Sequence, residues 1–326
     1  MRILVAGAGG FIGGHLTRSL VEAGHEVRAV DVKPIEQWWQ RHSEIENWPD
    51  TDLMEFDECR RAAVGADHVY NLAANMGGMG FIENHKTACM RNVLMSAHLL
   101  QAAVDAGCER FFFASSACVY AAEHQSDPDL TALTEAHAYP AMPEDGYGWE
   151  KLFSERMARH YREDFGIDTR VARYHNVFGP HGTWTGGREK APAALCRKVA
   201  ECVVDGGREI DVWGDGEQTR SFMFVDDCVH GTQLLMESDV DEPINVGSSN
   251  LVSINELIDV ICDVAGVEVR RRYDLSAPQG VRGRNSDNTL ILDRLGWEPS
   301  VPLRDGIAVT YRWIDERVRA ASRAAS

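Results

Sequence analysis

Residues 2–16 read RILVAGAGGFIGGHL, and this stretch decides the fold. A short β-branched, apolar run (2–6) is followed by Gly7, Gly10 and Gly13. The segment FIGGHLTRSLVEAG (11–24) then carries apolar residues at helical spacing. Glycines between a strand and a helix permit a tight turn and let backbone N–H groups approach a pyrophosphate at the helix N-terminus. A glycine triplet alone is weak, but this one closes a first strand and opens a helix. It points to a bound dinucleotide.

The pattern continues outward. EVRAVD (26–31) reads as a strand, LMEFD (53–57) as a short third strand, ECRRAAVGA (58–66) as a helix and HVYNLAA (68–74) as a strand. A long helix is expected over 87–106, a continuous apolar strand at RFFFASSA (110–117), a helix over 147–165 and a sixth strand at DTRVARYHNVFG (168–179). Unbroken apolar strands between helices imply a parallel sheet covered on both faces. After Gly179 the texture changes to Gly-Gly pairs, basic residues and Trp, before helix and strand signals return near Asp226. The expected architecture is α/β: a Rossmann-type doubly wound parallel sheet (1–177 and 219–247) with a smaller, discontinuous α/β substrate-binding domain (178–218 and 248–326).

Composition narrows the function. The chain of 326 residues is 44% hydrophobic and 25% charged, with a formal net charge of −17. Such an acidic balance argues against nucleic-acid binding, which requires surplus Lys and Arg. An anionic substrate would have to meet locally placed cations. No run approaches the roughly 20 apolar residues of a membrane span, and the N-terminal run flows into the glycine loop and is not a signal peptide. Eight cysteines are scattered without a CxxC pair, which suggests reduced thiols in a cytoplasmic protein and no metal site.

Asp31, ending the second strand, can accept hydrogen bonds from the adenosine ribose hydroxyls and would repel a 2′-phosphate, so NAD is expected over NADP. Asp57, ending the expected third strand, is placed for the adenine amino group. Tyr147 and Lys151 lie one helical turn apart in YGWEK (147–151). Lys151 can hold the nicotinamide ribose and lower the pKa of Tyr147, making it the acid–base group for hydride transfer at a carbinol. Ser116 would hydrogen-bond the reacting oxygen. Cys118 follows it by two residues, where hydride transfer needs no thiol; a buried core cysteine is the plainer alternative.

At these residues the chain resembles the extended short-chain dehydrogenase/reductase family of nucleotide-sugar enzymes, and within it the GDP-mannose 3,5-epimerases. The resembling segments are GAGGFIG (7–13), NLAANMGGMGF (71–81), FFFASSACVY (111–120), YGWEK (147–151), HNVFGPHGTWTGGREKAPAALCRK (175–198), WGDGEQTRSF (213–222) and VRGRNSDN (281–288). The resemblance implies tightly bound NAD, a transient 4-keto sugar and Cys118 with Lys190 as the acid–base pair that inverts C5 alone, or C5 and C3 together, of a GDP-hexose. It implies cofactor contacts from Phe11, Ile12, Leu72 and Ala73. Gly77, Asn176 and Gln218 would contact the substrate, and Lys198, Arg220, Arg282 and Arg284 its diphosphate. It further implies a homodimer through the helices at 86–106 and 147–165, whose apolar residues include Leu94, Leu99 and Met157.

The chain is similar also to GDP-fucose synthases, which pair a Cys with a His in a GPH motif, so His181 is an alternative acid. Asn75 departs from the Asp usual in the epimerase motif. A further alternative, a non-catalytic dinucleotide-binding regulator, should have lost Tyr147, Lys151 or Cys118.

Overall fold

The computed structural model describes residues 1–127, 132–277 and 280–325. The apolar runs become a central sheet, and the amphipathic segments between them become its covering helices. In chain order these are β1 (Arg2–Ala6), α1 (Phe11–Glu22), β2 (Glu26–Val30), β3 (Glu46–Trp48), α2 (Phe56–Ala63), β4 (His68–Asn71), α3 (Met79–Asn84), α4 (Lys86–Met90), α5 (Asn92–Asp105) and β5 (Arg110–Ser116). There follow α6 (Tyr147–Phe165), β6 (Asp168–Tyr174), β7 (Val177–Phe178), α7 (Ala191–Val204), β8 (Glu209–Trp213), β9 (Thr219–Ser221), β10 (Met223–Phe224) and α8 (Val225–Glu237). The chain then forms β11 (Ile244–Val246), β12 (Leu251–Ser253), α9 (Ile254–Ala265), β13 (Arg270–Asp274), β14 (Gly283–Arg284), α10 (Thr289–Leu295) and α11 (Leu303–Ala325).

Seven strands form the parallel sheet in the order β11-β6-β5-β4-β1-β2-β3. Its winding direction reverses between β1 and β4, and the crevice beyond the carboxyl ends of such strands is where doubly wound sheets bind ligands. Three small sheets, β10-β7, β12-β9-β14 and β13-β8, lie outside it. Leu195 and Val199 of α7, Leu257 and Ile261 of α9, and Ile307 and Ile314 of α11 share one apolar core with Leu16 and Leu20 of α1. Local signals agree with these boundaries. Helix α9 begins at a capping box in which Ser253 Oγ accepts from the Glu256 N–H at 3.1 Å, and it ends at Gly266 in a left-handed conformation.

Three expectations need correction. LMEFD is not a strand: the third strand is Glu46–Trp48, paired with β2. The Asp52 side chain instead accepts from the Met54 N–H at 2.9 Å, turning the chain into α2, with Leu53 buried beneath. Asp57 therefore lies exposed in the first turn of α2, where a carboxylate suits the helix N-terminus. The helix expected over 87–106 is interrupted, with a non-helical His85 before α4 and a break at Arg91 before α5. The sixth strand ends at Tyr174. Asn176, at φ 39°, turns the chain so that β7 pairs with β10 instead of extending β6.

Beneath the sheet's carboxyl edge lies a buried ion pair. Arg173 of β6 donates to Glu155 of α6 through Nε (2.9 Å) and Nη2 (2.7 Å), and Ser115 of β5 donates to the same carboxylate at 2.5 Å. Removing one partner of such a pair leaves an uncompensated buried charge. Glu155→Ala is expected to lower unfolding free energy by about 3–5 kcal/mol. Urea denaturation reads this directly, and a loss below about 1 kcal/mol, the scale of an exposed ion pair, would contradict it.

Candidate active site

The glycine loop is built by close approach. Gly7 has φ 85°, and a side chain there would strike the backbone of Leu72 and Ala73, with Ala73 N at 2.8 Å. A Cβ on Gly13 would meet Gly7 O at 2.1 Å. The Gly7 N–H donates to Val30 O at 2.8 Å and the Leu72 N–H to Ala6 O at 3.0 Å, so the ends of β1, β2 and β4 converge here. Phe11 and Ile12 open α1, whose N-cap Gly10 offers no side-chain cap. That leaves a helix N-terminus suited to an anion. Asp31 is buried at the end of β2, its Oδ1 accepting from the Lys33 N–H at 2.9 Å, and burial raises its carboxyl above the ordinary value. These features fit a dinucleotide. Asp57 is not at a strand end, and the residues that follow β3 are Pro49–Leu53.

A cavity of about 270 Å³ opens among residues from several elements. Ser116, the last residue of β5, lines it with Cys118. Cys118 sits in a 3₁₀ turn (Ala117–Val119), so its relation to Ser116 is not that of two residues on one strand face. Instead Ser116 Oγ accepts from the Cys118 N–H at 3.2 Å. Tyr147, the first residue of α6, lines the same cavity. Lys190 enters from the N-cap position of α7. It is open to solvent through the cavity yet ringed by protein. Desolvation lowers its ammonium below the ordinary lysine value, opposed by Cys118.

Lys151 does not line the cavity. Its Nζ lies 5.5 Å from the Tyr147 ring centroid, 4.6 Å from that of Phe113 and 3.8 Å from Glu150 Oε2. Protein groups alone do not lower the Tyr147 pKa as expected. Burial first, then the Glu150 carboxylate, push the phenol well above its usual value. Glu150, itself buried, was not legible as a site neighbour because YGWEK reads as a Tyr–Lys pair with spacers.

Gly77, Asn176 and Gln218 line the cavity, as do Lys198, Arg220 and Arg284. Arg220 and Arg284 are register partners on β9 and β14. Burial and the neighbouring Arg282 push Arg220 down to about 10. Lys198 Nζ donates to Asp211 O at 2.7 Å. Arg282 does not line the cavity; its guanidinium pairs with Asp215 at 3.0 and 3.1 Å. His181 does not line it either. Its ring packs 5.6 Å from His15 and 5.4 Å from Trp313, and burial lowers its pKa to about 4. Asn75 is a structural joint: Asn92 brackets its backbone, and its Oδ1 accepts from Arg188 at 3.0 Å. Glu189 and Arg197 also line the cavity without having been singled out in the sequence, because single polar residues carry no periodic signal, and Trp213, to which the sequence assigns no site role, lines it too.

A family model described as "NAD dependent epimerase/dehydratase family" matches residues 3–247. The chain belongs to this family. GDP-mannose 3,5-epimerase 1 of Oryza sativa subsp. japonica is 47% identical over 98% of this chain and 82% of its own length. GDP-mannose 3,5-epimerase of Arabidopsis thaliana is 45% identical over 98% and 83%. Among solved structures, UDP-glucose 4-epimerase of Thermotoga maritima with UDP-glucose superposes with a TM-score of 0.86 at 25% identity, covering 98% of this chain and 100% of that one. UDP-glucuronic acid 4-epimerase of Bacillus cereus, in complex with UDP-glucuronic acid and NAD, gives 0.81 at 25% identity, covering 97% and 100%. NAD is the family's cofactor, and the glycine loop with Asp31 fits it.

Asp31→Ala with Val32→Arg removes the carboxylate and adds a guanidinium suited to a 2′-phosphate. The expected outcome is a shift of about tenfold or more toward NADP, about 1.4 kcal/mol, read by calorimetric titration of both cofactors. Unchanged discrimination would mean that Asp31 does not meet the ribose.

Proposed function

We propose that this protein is a GDP-mannose epimerase that inverts C5 alone, or C5 and C3 together, through a transient 4-keto sugar. The observation that carries the reading is the meeting of Ser116, Cys118, Tyr147 and Lys190 in one cavity that also collects Lys198, Arg220 and Arg284. When bound, NAD supplies a reversible hydride acceptor for C4 of the hexose. Tyr147 takes the C4 hydroxyl proton while Ser116 hydrogen-bonds the oxygen, and Lys151 holds the cofactor's ribose. With C4 at the ketone level, the hydrogens at C3 and C5 lie next to a carbonyl and become exchangeable. Cys118 and Lys190 then work from opposite faces of the ring, one removing a proton and the other returning one. The original oxidation level is restored at C4, so no cofactor is consumed. The products are GDP-L-gulose after C5 inversion and GDP-L-galactose after inversion at both centres.

In this reading Gly77, Asn176 and Gln218 hold the sugar and its linkage, and Lys198 and Arg220 the diphosphate; Arg284, expected at the diphosphate, is instead turned to Glu144, Gln125 and Cys118. Residues 1–177 and 219–247 make the NAD-binding domain and 178–218 with 248–326 the nucleotide-sugar-binding domain, with Gly77, Asn176 and Arg220 reaching the substrate from the first. The GDP-fucose synthase alternative loses its distinguishing partner, since His181 is packed against Trp313 outside the cavity.

We propose also a homodimer. Met90, Leu94, Trp149 and Phe153 are exposed on α4, α5 and α6, whereas Leu99 belongs to the core and Met157 packs against it. Sedimentation equilibrium reads the state, and a monomer at micromolar concentration would refute the dimer. Among the described residues no helix is long and apolar enough to cross a membrane. Eight free cysteines, seven of them buried, fit a reducing cytoplasmic compartment.

Incubation with GDP-mannose in D2O, without added cofactor, tests the activity. Deuterium at C5, with or without C3, together with an L-hexose is the expected result by NMR and mass spectrometry. No incorporation would discard the substrate. Cys118→Ala should keep the fold and NAD but lose C5 exchange by about 10²–10⁴-fold, the scale of a general acid–base group. Because its pKa is lowered, Lys190 loses its proton at lower pH than free lysine, so an alkaline limb of kcat set by Lys190 falls below the ordinary lysine range.

A further inference from the structure

Glu144 lies in the loop before α6 and does not line the cavity, yet it is tied to Cys118 in two ways. Its backbone N–H donates to the Cys118 carbonyl oxygen at 3.0 Å. Its side chain, 11% exposed, forms an ion pair with Arg284, 7% exposed. Arg284 in turn donates through Nε to Gln125 Oε1 at 2.6 Å and through Nη1 to Cys118 Sγ at 3.8 Å. Gln125 is fully buried and pinned: its Nε2 donates to Tyr120 O and Ala121 O, both at 3.2 Å. That arrangement settles its amide orientation and leaves Oε1 as the acceptor facing Arg284.

A guanidinium is a planar, permanently charged fork, so fixing two of its edges fixes the third. Here Gln125 and Glu144 hold two edges, and the third meets the sulfur. The Nη1–Sγ contact therefore sets where the sulfur and the guanidinium stand relative to each other. Without Glu144, Arg284 would be a buried charge lacking its counter-ion, and such charges move or bind a substitute. The other oxygen of Glu144, Oε2, is buried with no hydrogen-bond partner among the described residues, so the Arg284 pair is what offsets burial of this carboxylate.

We propose that Glu144 is a positioning residue of the active site: it holds the Arg284 guanidinium against the Cys118 sulfur and so fixes the place from which that thiol meets the sugar. The proposal rests on the assignment of Cys118 as a proton-transfer group. Glu144 touches neither sugar nor cofactor and acts only through Arg284.

The test compares the NAD-loaded wild-type enzyme with Glu144→Gln and Glu144→Ala. Two readouts are taken: the rate of alkylation of Cys118 by iodoacetamide, followed by mass spectrometry of its peptide, and the kcat and KM for C5 exchange in GDP-mannose. Glu144→Ala should change the alkylation rate several-fold and lower kcat about tenfold with KM little changed, a fraction of the general acid–base contribution. Glu144→Gln keeps an acceptor for Arg284, and so should be intermediate on both readouts. Wild-type alkylation and kcat in folded variants would overturn the proposal, as would a change in KM with kcat retained. Glu144→Gln is nearly isosteric and keeps the test decisive if Glu144→Ala fails to fold. Cys118→Ala separates the two ideas. Retained turnover there would remove Cys118 from catalysis, while the alkylation rates would still report whether Glu144 governs the thiol through Arg284.

Discussion

The buried bond between Glu155 and Arg173 is the constraint on which the site depends. Ser115 adds β5 to it, so one carboxylate ties α6 to two neighbouring strands. Ser116 and Cys118 lie at the end of one of those strands, and Tyr147 and Lys151 at the start of that helix. Holding α6 against β5 and β6 therefore sets the distance between the hydroxyl, the thiol and the phenol. A purely apolar contact would allow α6 to slide. A bidentate guanidinium–carboxylate pair, being directional and costly to break when buried, does not.

The second theme is local charge against an acidic whole. The chain carries a net −17, yet the cavity gathers Lys190, Lys198, Arg220 and Arg284. Desolvation lowers the first three. Concentrating cations in a partly buried space is unfavourable until an anion arrives, and this makes the cavity selective for a negatively charged ligand. Arg284 differs from the rest, because Glu144 already neutralises it and leaves its free edge for the thiol.

Much of this was legible in the sequence. The glycine loop, Asp31 and the Tyr147–Lys151 pair depend on short-range spacing along known elements, and each stands where the pattern placed it. LMEFD misled because its apolar residues suit a buried turn as well as a strand, and the Asp52 side chain chose the turn. Arg282 and Arg284 are two residues apart and read alike, yet one pairs with Asp215 and the other reaches Cys118. Glu144 and Gln125 gave no signal, since their partner Arg284 is more than a hundred residues away.

The sequence by itself determined what local physics governs: most of the strands and helices of the main sheet, that helices cover that parallel sheet on both faces, where a pyrophosphate can approach a glycine turn, and the general chemistry of a tyrosine, a lysine and a thiol. Only the tertiary structure decided which charges face the cavity, that His181 packs on Trp313, that Glu150 crowds the phenol, and that a carboxylate outside the cavity steers the cation beside Cys118. The reason is range. Periodicity and turn chemistry act over a few residues, whereas burial, desolvation and ion pairing are fixed by which distant segments meet.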